Sequence, residues 1–308
     1  MINAPTLLTI AKGASTATIN PQGAVLQLWD IGTRNLVFCN PDFQKRASHP
    51  CIPVFGFNAL PGRPADGSYQ IGEKVYKLPR HGFGRDYPWS GKVLEEETSL
   101  LRFSYTNMAS IPNFSKMLSE VYPFQALFQE AVQLPTPETL NWQLALTNLS
   151  DGLAPVDLAC HLYLPWEEGF SVKGLVGLDY LDVTDPGNPK DGKITDSGIL
   201  AAVGHKDWQV DLNSAGRSVN LLVLNYPRSK YFLVIGLASL QGQLGASWPA
   251  TKVVIWQDPT VVNQIGHYIC VQPVLCGRQS FRLRTAAEVR RTATVSLGFS
   301  FTYQENPE

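Results

Sequence analysis

Charge is scarce in this chain: Asp, Glu, Lys and Arg together make up 17% of its 308 residues, against about a quarter in an ordinary soluble domain. Since 44% is hydrophobic, the composition excludes disorder and supplies a large core. The few charges nearly cancel, 25 basic against 26 acidic, and no basic run is interleaved with aromatic residues. That argues against nucleic acid and membrane surfaces as partners, and points to something small or neutral. Cysteine is sparse too. Cys39, Cys51, Cys160, Cys270 and Cys276 are odd in number and form no Cys-x-x-Cys pair, so neither a disulfide framework nor a structural zinc site is indicated. Most are expected to be buried, reduced thiols. No apolar window approaches the roughly eighteen residues a membrane helix requires. The opening MINAPTLLTIAKGAST has neither the basic leader nor the apolar run of a signal peptide. The expected location is the cytoplasm.

Helical periodicity is also missing; only AAEVRR admits a turn or two of helix. Period-two alternation takes its place. In TATVSLGFSFTY, Val295, Leu297, Phe299, Phe301 and Tyr303 share one face while Thr294, Ser296, Gly298, Ser300 and Thr302 share the other, the pattern of a half-buried antiparallel strand. The same reading fits LLRFSY, FQALFQEAVQL, LNWQLALTNLS, SVNLLVLNY, YFLVIGL, KVVIWQD and YICVQPV, with 25 glycines and 22 prolines punctuating the runs. The strand candidates outnumber those of an immunoglobulin-type sandwich. The expected fold is therefore all-β, a single domain over residues 1–308 made of two large antiparallel sheets packed face to face. Residues 35–90 are the irregular part, rich in Pro and Gly, where a loop system over a rigid scaffold usually carries function.

Three stretches set proton-transfer or recognition groups in apolar context: His81 to Trp89, His161 to Trp166, and Trp256 to Pro273. His161 lies in DLACHLYLPW, a run fit for a buried strand, where an unpaired imidazole is costly and needs a partner. On position alone it fits a core histidine bonded to a carbonyl as well as a proton-transfer group. In RHGFGRDYPW, Arg80, Arg85 and Asp86 fit a loop held by Arg–Asp pairing as well as a binding surface. Asp258, before a proline, fits a turn.

Taken in order, GAVLQLWD, HPCIPVFGFNALPGR, LPRHGFGRDYPW, VYPFQALFQEAVQL, ACHLYLPW, VGLDYLDVTD and VVIWQDP…YICVQPV resemble the aldose 1-epimerase (galactose mutarotase-like) superfamily, and within it the hexose-6-phosphate mutarotase-like branch. The resemblance covers most of residues 18–285. It implies a large antiparallel β-supersandwich and the interconversion of the α and β anomers of an aldose, a sugar as small-molecule partner, no cofactor and no metal, and a monomer or homodimer. It also implies site residues. His161 would be the general acid, and His81 would hydrogen-bond the sugar ring. Arg85 would contact hydroxyls or a phosphate, with Trp89, Tyr163 and Trp166 as a stacking wall. Ring opening further needs a base for the C1 hydroxyl proton. Where the family motif carries a glutamate this chain has Gln272, which can hydrogen-bond but cannot accept a proton. Asp258, Asp182 and Glu167 are the substitutes the sequence offers. Without one, the resemblance implies a carbohydrate-binding protein of weakened activity.

Overall fold

The computed structural model describes residues 6–39, 47–53, 67–86, 88–95, 100–107, 120–185, 188–202, 204–242, 244–259, 267–277, 280 and 286–307. Parts of the irregular region, among them NPDF and most of HPCIPVFGFNALPGR, lie outside these residues. The described chain is almost entirely β, as the alternation predicts. One sheet of eight strands has the order 171–173, 221–226, 231–236, 294–305, 139–148, 126–136, 100–107, 90–95. A second, of seven, has the order 190–193, 179–182, 206–211, 252–257, 268–274, 159–165, 49–51. Every pairing within these two sheets is antiparallel.

The core lies between them. Phe128, Trp142, Leu144, Leu224, Ile235 and Phe299 of the first sheet form one buried cluster with Cys160, Leu162, Leu164, Ile255 and Val271 of the second. A four-stranded sheet formed by residues 8–35 adds Ile10, Ile19 and Trp29 to that cluster. Burial of such side chains, worth about 1.5–3 kcal/mol each, is what holds strands of modest length together.

Two elements differ from expectation. Val295, Leu297, Phe299, Phe301 and Tyr303 do face the core, but the opposite face of that strand is covered as well. Trp248 N donates to Ser296 O at 2.8 Å and Ser296 Oγ donates to Ala246 O at 3.0 Å. A Cβ on Gly298 would meet Ser247 Oγ at 2.8 Å, so glycine is what lets this segment lie flat on the sheet. AAEVRR forms no helix. Ala287–Val289 pairs antiparallel with Ala154–Val156, because a six-residue helix has too few internal bonds to outweigh its nucleation cost while a ladder partner stands beside it.

Candidate active site

The strand Ala159–Pro165 is buried nearly throughout, and its alternation divides two worlds. Cys160, Leu162 and Leu164 enter the main core, while Ala159, His161 and Tyr163 occupy the sheet's other face. The pairs Ala159↔Val274 and Leu162↔Val271 set the register with the neighbouring strand. His161 therefore lies opposite Gln272. Their side-chain nitrogens are 3.3 Å apart, and both residues are buried, 5% and 1% exposed. Two facing nitrogens bond only if one donates: the Gln272 amide to a bare ring nitrogen as drawn, or, with the amide turned, the ring N–H to Oε1.

On the far side of His161 stands His49, its ladder partner in the strand His49–Cys51. The two imidazoles stack with centroids 5.0 Å apart and planes inclined by 16°. Tyr163 stacks on the His161 ring at 4.7 Å, and Phe38, Trp256, Tyr268 and Cys270 continue an aromatic and sulfur floor. His81 meets His161 edge-on at 5.0 Å and His49 at 6.1 Å. Rows across the sheet thus read Gln209, Val254, Gln272, and then His161, His49.

The loop that delivers His81 is pinned to the end of the His49 strand. Phe83 N and Gly84 N both donate to Ile52 O, at 2.9 and 3.3 Å. Gly82 has φ +69°, and a Cβ there would stand 1.9 Å from that same oxygen. Gly82→Ala is expected to cost about 2–4 kcal/mol through the left-handed backbone and the displaced carbonyl. A urea midpoint equal to wild type would contradict that. His81 itself adopts φ +66°, an uncommon conformation for a residue with a Cβ, stabilised by the same clamp. Trp89 is 3% exposed and sits in the main core, its indole N–H donating to Gly84 O at 2.8 Å. It braces the loop from beneath and is not on the His161 face. Arg85, in the short 3-10 turn Gly84–Asp86, packs its backbone on Gly23, and its Nε is buried without a partner.

Burial first, then the charge of Arg85, lowers the His49 pKa to about 3, against the opposing hydrogen bond with Ala47 O. His49 is therefore neutral at physiological pH. The nearby Cys51 thiol is pushed up by burial. In the strand Ala126–Thr136 of the other sheet, burial likewise raises the Glu130 carboxyl well above its usual range.

Two of the substitute carboxylates, Asp182 and Glu167, are placed elsewhere. Asp182 pairs with Trp208, which pairs with Ile255, then Val271, then Leu162. Cross-strand partners share a face, so Asp182 belongs to the face opposite His161, where its Oδ1 accepts from Thr184 N at 2.8 Å. Glu167 accepts from Arg228 N, Ser229 N and Ser229 Oγ. Asp258 lies just past the end of the strand Lys252–Gln257, whose Val254 neighbours Gln272 in the row. Trp166 donates to Leu200 O at 3.0 Å and lies against His267. It lines a separate cavity of about 610 Å³ with Glu167, Glu168 and Arg228. Among the carboxylates the sequence reading did not single out, the register brings Asp207, opposite Trp256, to the His161 face. His49 and Phe38 were missed as well. His49 stands beside a proline in an irregular stretch, and nothing local marks it as a partner of His161.

Among the described residues no group of His, Cys, Asp and Glu has the geometry to hold a metal ion. Fold and site together define a galactose mutarotase-like β-sandwich with an imidazole and amide pair on the concealed face of its seven-stranded sheet. The chain belongs to the aldose 1-epimerase family, whose model matches residues 6–219. Its fold is similar to that of the Slr1438 protein from Synechocystis sp. PCC 6803, with 17% identity, TM-score 0.79, and 98% of this chain and 96% of that one covered. It is also similar to a galactose mutarotase related enzyme from Lactobacillus acidophilus (18%, 0.74, 98% and 98%) and to galactose 1-epimerase from Lactobacillus acidophilus NCFM (14%, 0.68, 97% and 94%). No curated protein matches the sequence.

Proposed function

We propose that the protein binds the ring of an aldose, a hexose or hexose phosphate, beside His161 and interconverts its anomers by acid and base catalysis. The C1 hydroxyl loses its proton, the C1 to ring-oxygen bond breaks as the carbonyl forms, and His161 protonates the ring oxygen. Rotation about C1–C2 and the reverse steps then close the other anomer. The observation that supports this reading most is the buried pair of His161 and Gln272 at 3.3 Å with His81 edge-on to the same ring. A proton-transfer group is held in a dry setting, flanked by aromatic surface suited to the apolar face of a sugar. Arg85 supplies a guanidinium for a hydroxyl or phosphate. A phosphorylated substrate predicts tighter binding than its free sugar, weakened by Arg85→Ala and by salt.

A second reading rests on Gln272: an amide where the chemistry needs a base leaves a protein that binds sugar with little turnover. NMR exchange spectroscopy or polarimetry on glucose, galactose and glucose 6-phosphate separates the two. Acceleration above the spontaneous rate by wild type supports the mutarotase. Binding without acceleration, together with acceleration by Gln272→Glu, supports the weakened binder.

A further inference from the structure

His49 is the group in this site for which neither the fold nor the expected chemistry provides a use. Its ring is 2% exposed. Nδ1 lies 2.9 Å from Ala47 O, and a carbonyl oxygen only accepts, so Nδ1 carries the ring hydrogen and Nε2 presents a bare lone pair. That lone pair is buried and has no partner, an arrangement that costs free energy unless a ligand donates to it. Among the described residues, four groups face this ring: His161 at 5.0 Å, His81 at 6.1 Å, Tyr163 at 6.4 Å and the charge of Arg85. No carboxylate is among them.

Resting on the mutarotase reading, we propose that His49 Nε2 is the proton acceptor for the C1 hydroxyl, the role Gln272 cannot perform. His161 is central in the row, with Gln272 on one flank and His49 on the other. An aldose edge lying across the stacked imidazoles presents its ring oxygen to His161 and its C1 hydroxyl to His49. The proton moves from O1 to Nε2 of His49, the electrons of the O–H bond form the carbonyl, and those of the C1 to ring-oxygen bond leave with the ring oxygen, which takes a proton from His161. On ring closure both protons return, so the two imidazoles end as they began and no co-reactant is consumed. Asp207, a carboxylate on this face, stands three strands from His161, about 14 Å away at the usual strand spacing. His49 is on the adjacent strand. The depressed basicity of His49 leaves it close to that of an ordinary carboxylate, the kind of base the family motif supplies, and keeps it free of a proton at neutral pH.

Two variants test the assignment. Asparagine reaches the Nδ1 position and keeps the donor to Ala47 O but has nothing at Nε2. Glutamine reaches the Nε2 position with an amide that takes no proton. His49→Asn and His49→Gln are each expected to lower kcat for anomer exchange by about 10²-fold or more with KM changed only a few-fold, and His49→Asn combined with Gln272→Glu is expected to recover rate. In wild type, long-range ¹⁵N–¹H spectra at pH 7 are expected to show His49 as the Nδ1–H tautomer, with the Nε2 resonance moving on saturation with glucose or glucose 6-phosphate. Variants within threefold of wild type, an Nε2 resonance unmoved by sugar, or loss of exchange in Asp207→Asn with retention in His49→Asn would overturn it. Wild type exchanging sugar at the spontaneous rate, with sugar still shifting the Nε2 resonance, instead defeats the mutarotase reading while leaving His49 as a sugar contact.

Discussion

His161→Gln is expected to lower anomer exchange by about 10²–10⁴-fold, the loss that follows removal of a positioned proton-transfer group. The physical grounds are local. His161 packs against the His49 and Tyr163 rings at 5.0 and 4.7 Å and stands opposite Gln272, so its position is fixed by packing before a sugar arrives. Glutamine keeps a polar group near Nε2 but neither gives nor takes a proton at ordinary pH. Sugar binding, followed by chemical-shift titration, is expected to weaken by less than about tenfold, since the amide retains hydrogen bonding to the ring. Equal loss of binding and rate would make His161 a binding group only. Exchange within threefold of wild type would remove it from the chemistry altogether.

Asp157→Asn is expected to change how stability depends on pH. Asp157 is 0% exposed and joins three parts of the site. It precedes the His161 strand and donates its own N–H to Pro53 O beyond the His49 strand. Its carboxylate accepts from Cys276 N (2.8 Å), Gly277 N (3.1 Å) and Ser280 Oγ (2.9 Å), past the end of the Gln272 strand. Burial pushes its pKa up to about 7, despite those donors. Between the ordinary 3.8 and about 7 the folded protein holds a proton that the unfolded chain has released, so the contribution of Asp157 falls as pH rises through that window. His49 acts in the opposite sense. Kept neutral in the folded state down to about 3 while the unfolded chain charges below 6.5, it contributes stability at neutral pH that is lost as pH falls.

The two slopes oppose each other in wild type. Asp157→Asn removes one, so its urea midpoint is expected to climb more steeply than that of wild type between pH 4 and 7. The asparagine NH₂ also cannot accept from Gly277 N or Ser280 Oγ, at about 1–3 kcal/mol for each buried group left without a partner. Parallel pH profiles for the two proteins would show that Asp157 is ionised throughout.

Much of this molecule was legible in its alternation. Strands at 126–136, 139–148, 221–226, 231–236, 252–257, 268–274 and 294–305 follow from side chains that bury every second residue, a local property that needs no knowledge of partners. His161 could be singled out for the same reason, since a polar group stands out in a run of buried apolar residues, and Gln272 through the resemblance to the family motif. What local pattern could not show is which face a residue takes in the assembled sheet, because a shift of one residue in register reverses it. Asp182 and Asp207 are both acidic residues in short strands, yet pairing with Trp208 puts one on the core side, and pairing with Trp256 puts the other on the His161 side.

The sequence by itself determined the all-β class, the alternating strands, and the candidacy of His81, Arg85, His161 and Gln272. The stacking of His49 on His161 was decided only by tertiary structure. The two residues are 112 positions apart, and the register between the strands 49–51 and 159–165 depends on how the whole sheet closes its core, not on any preference written within either strand.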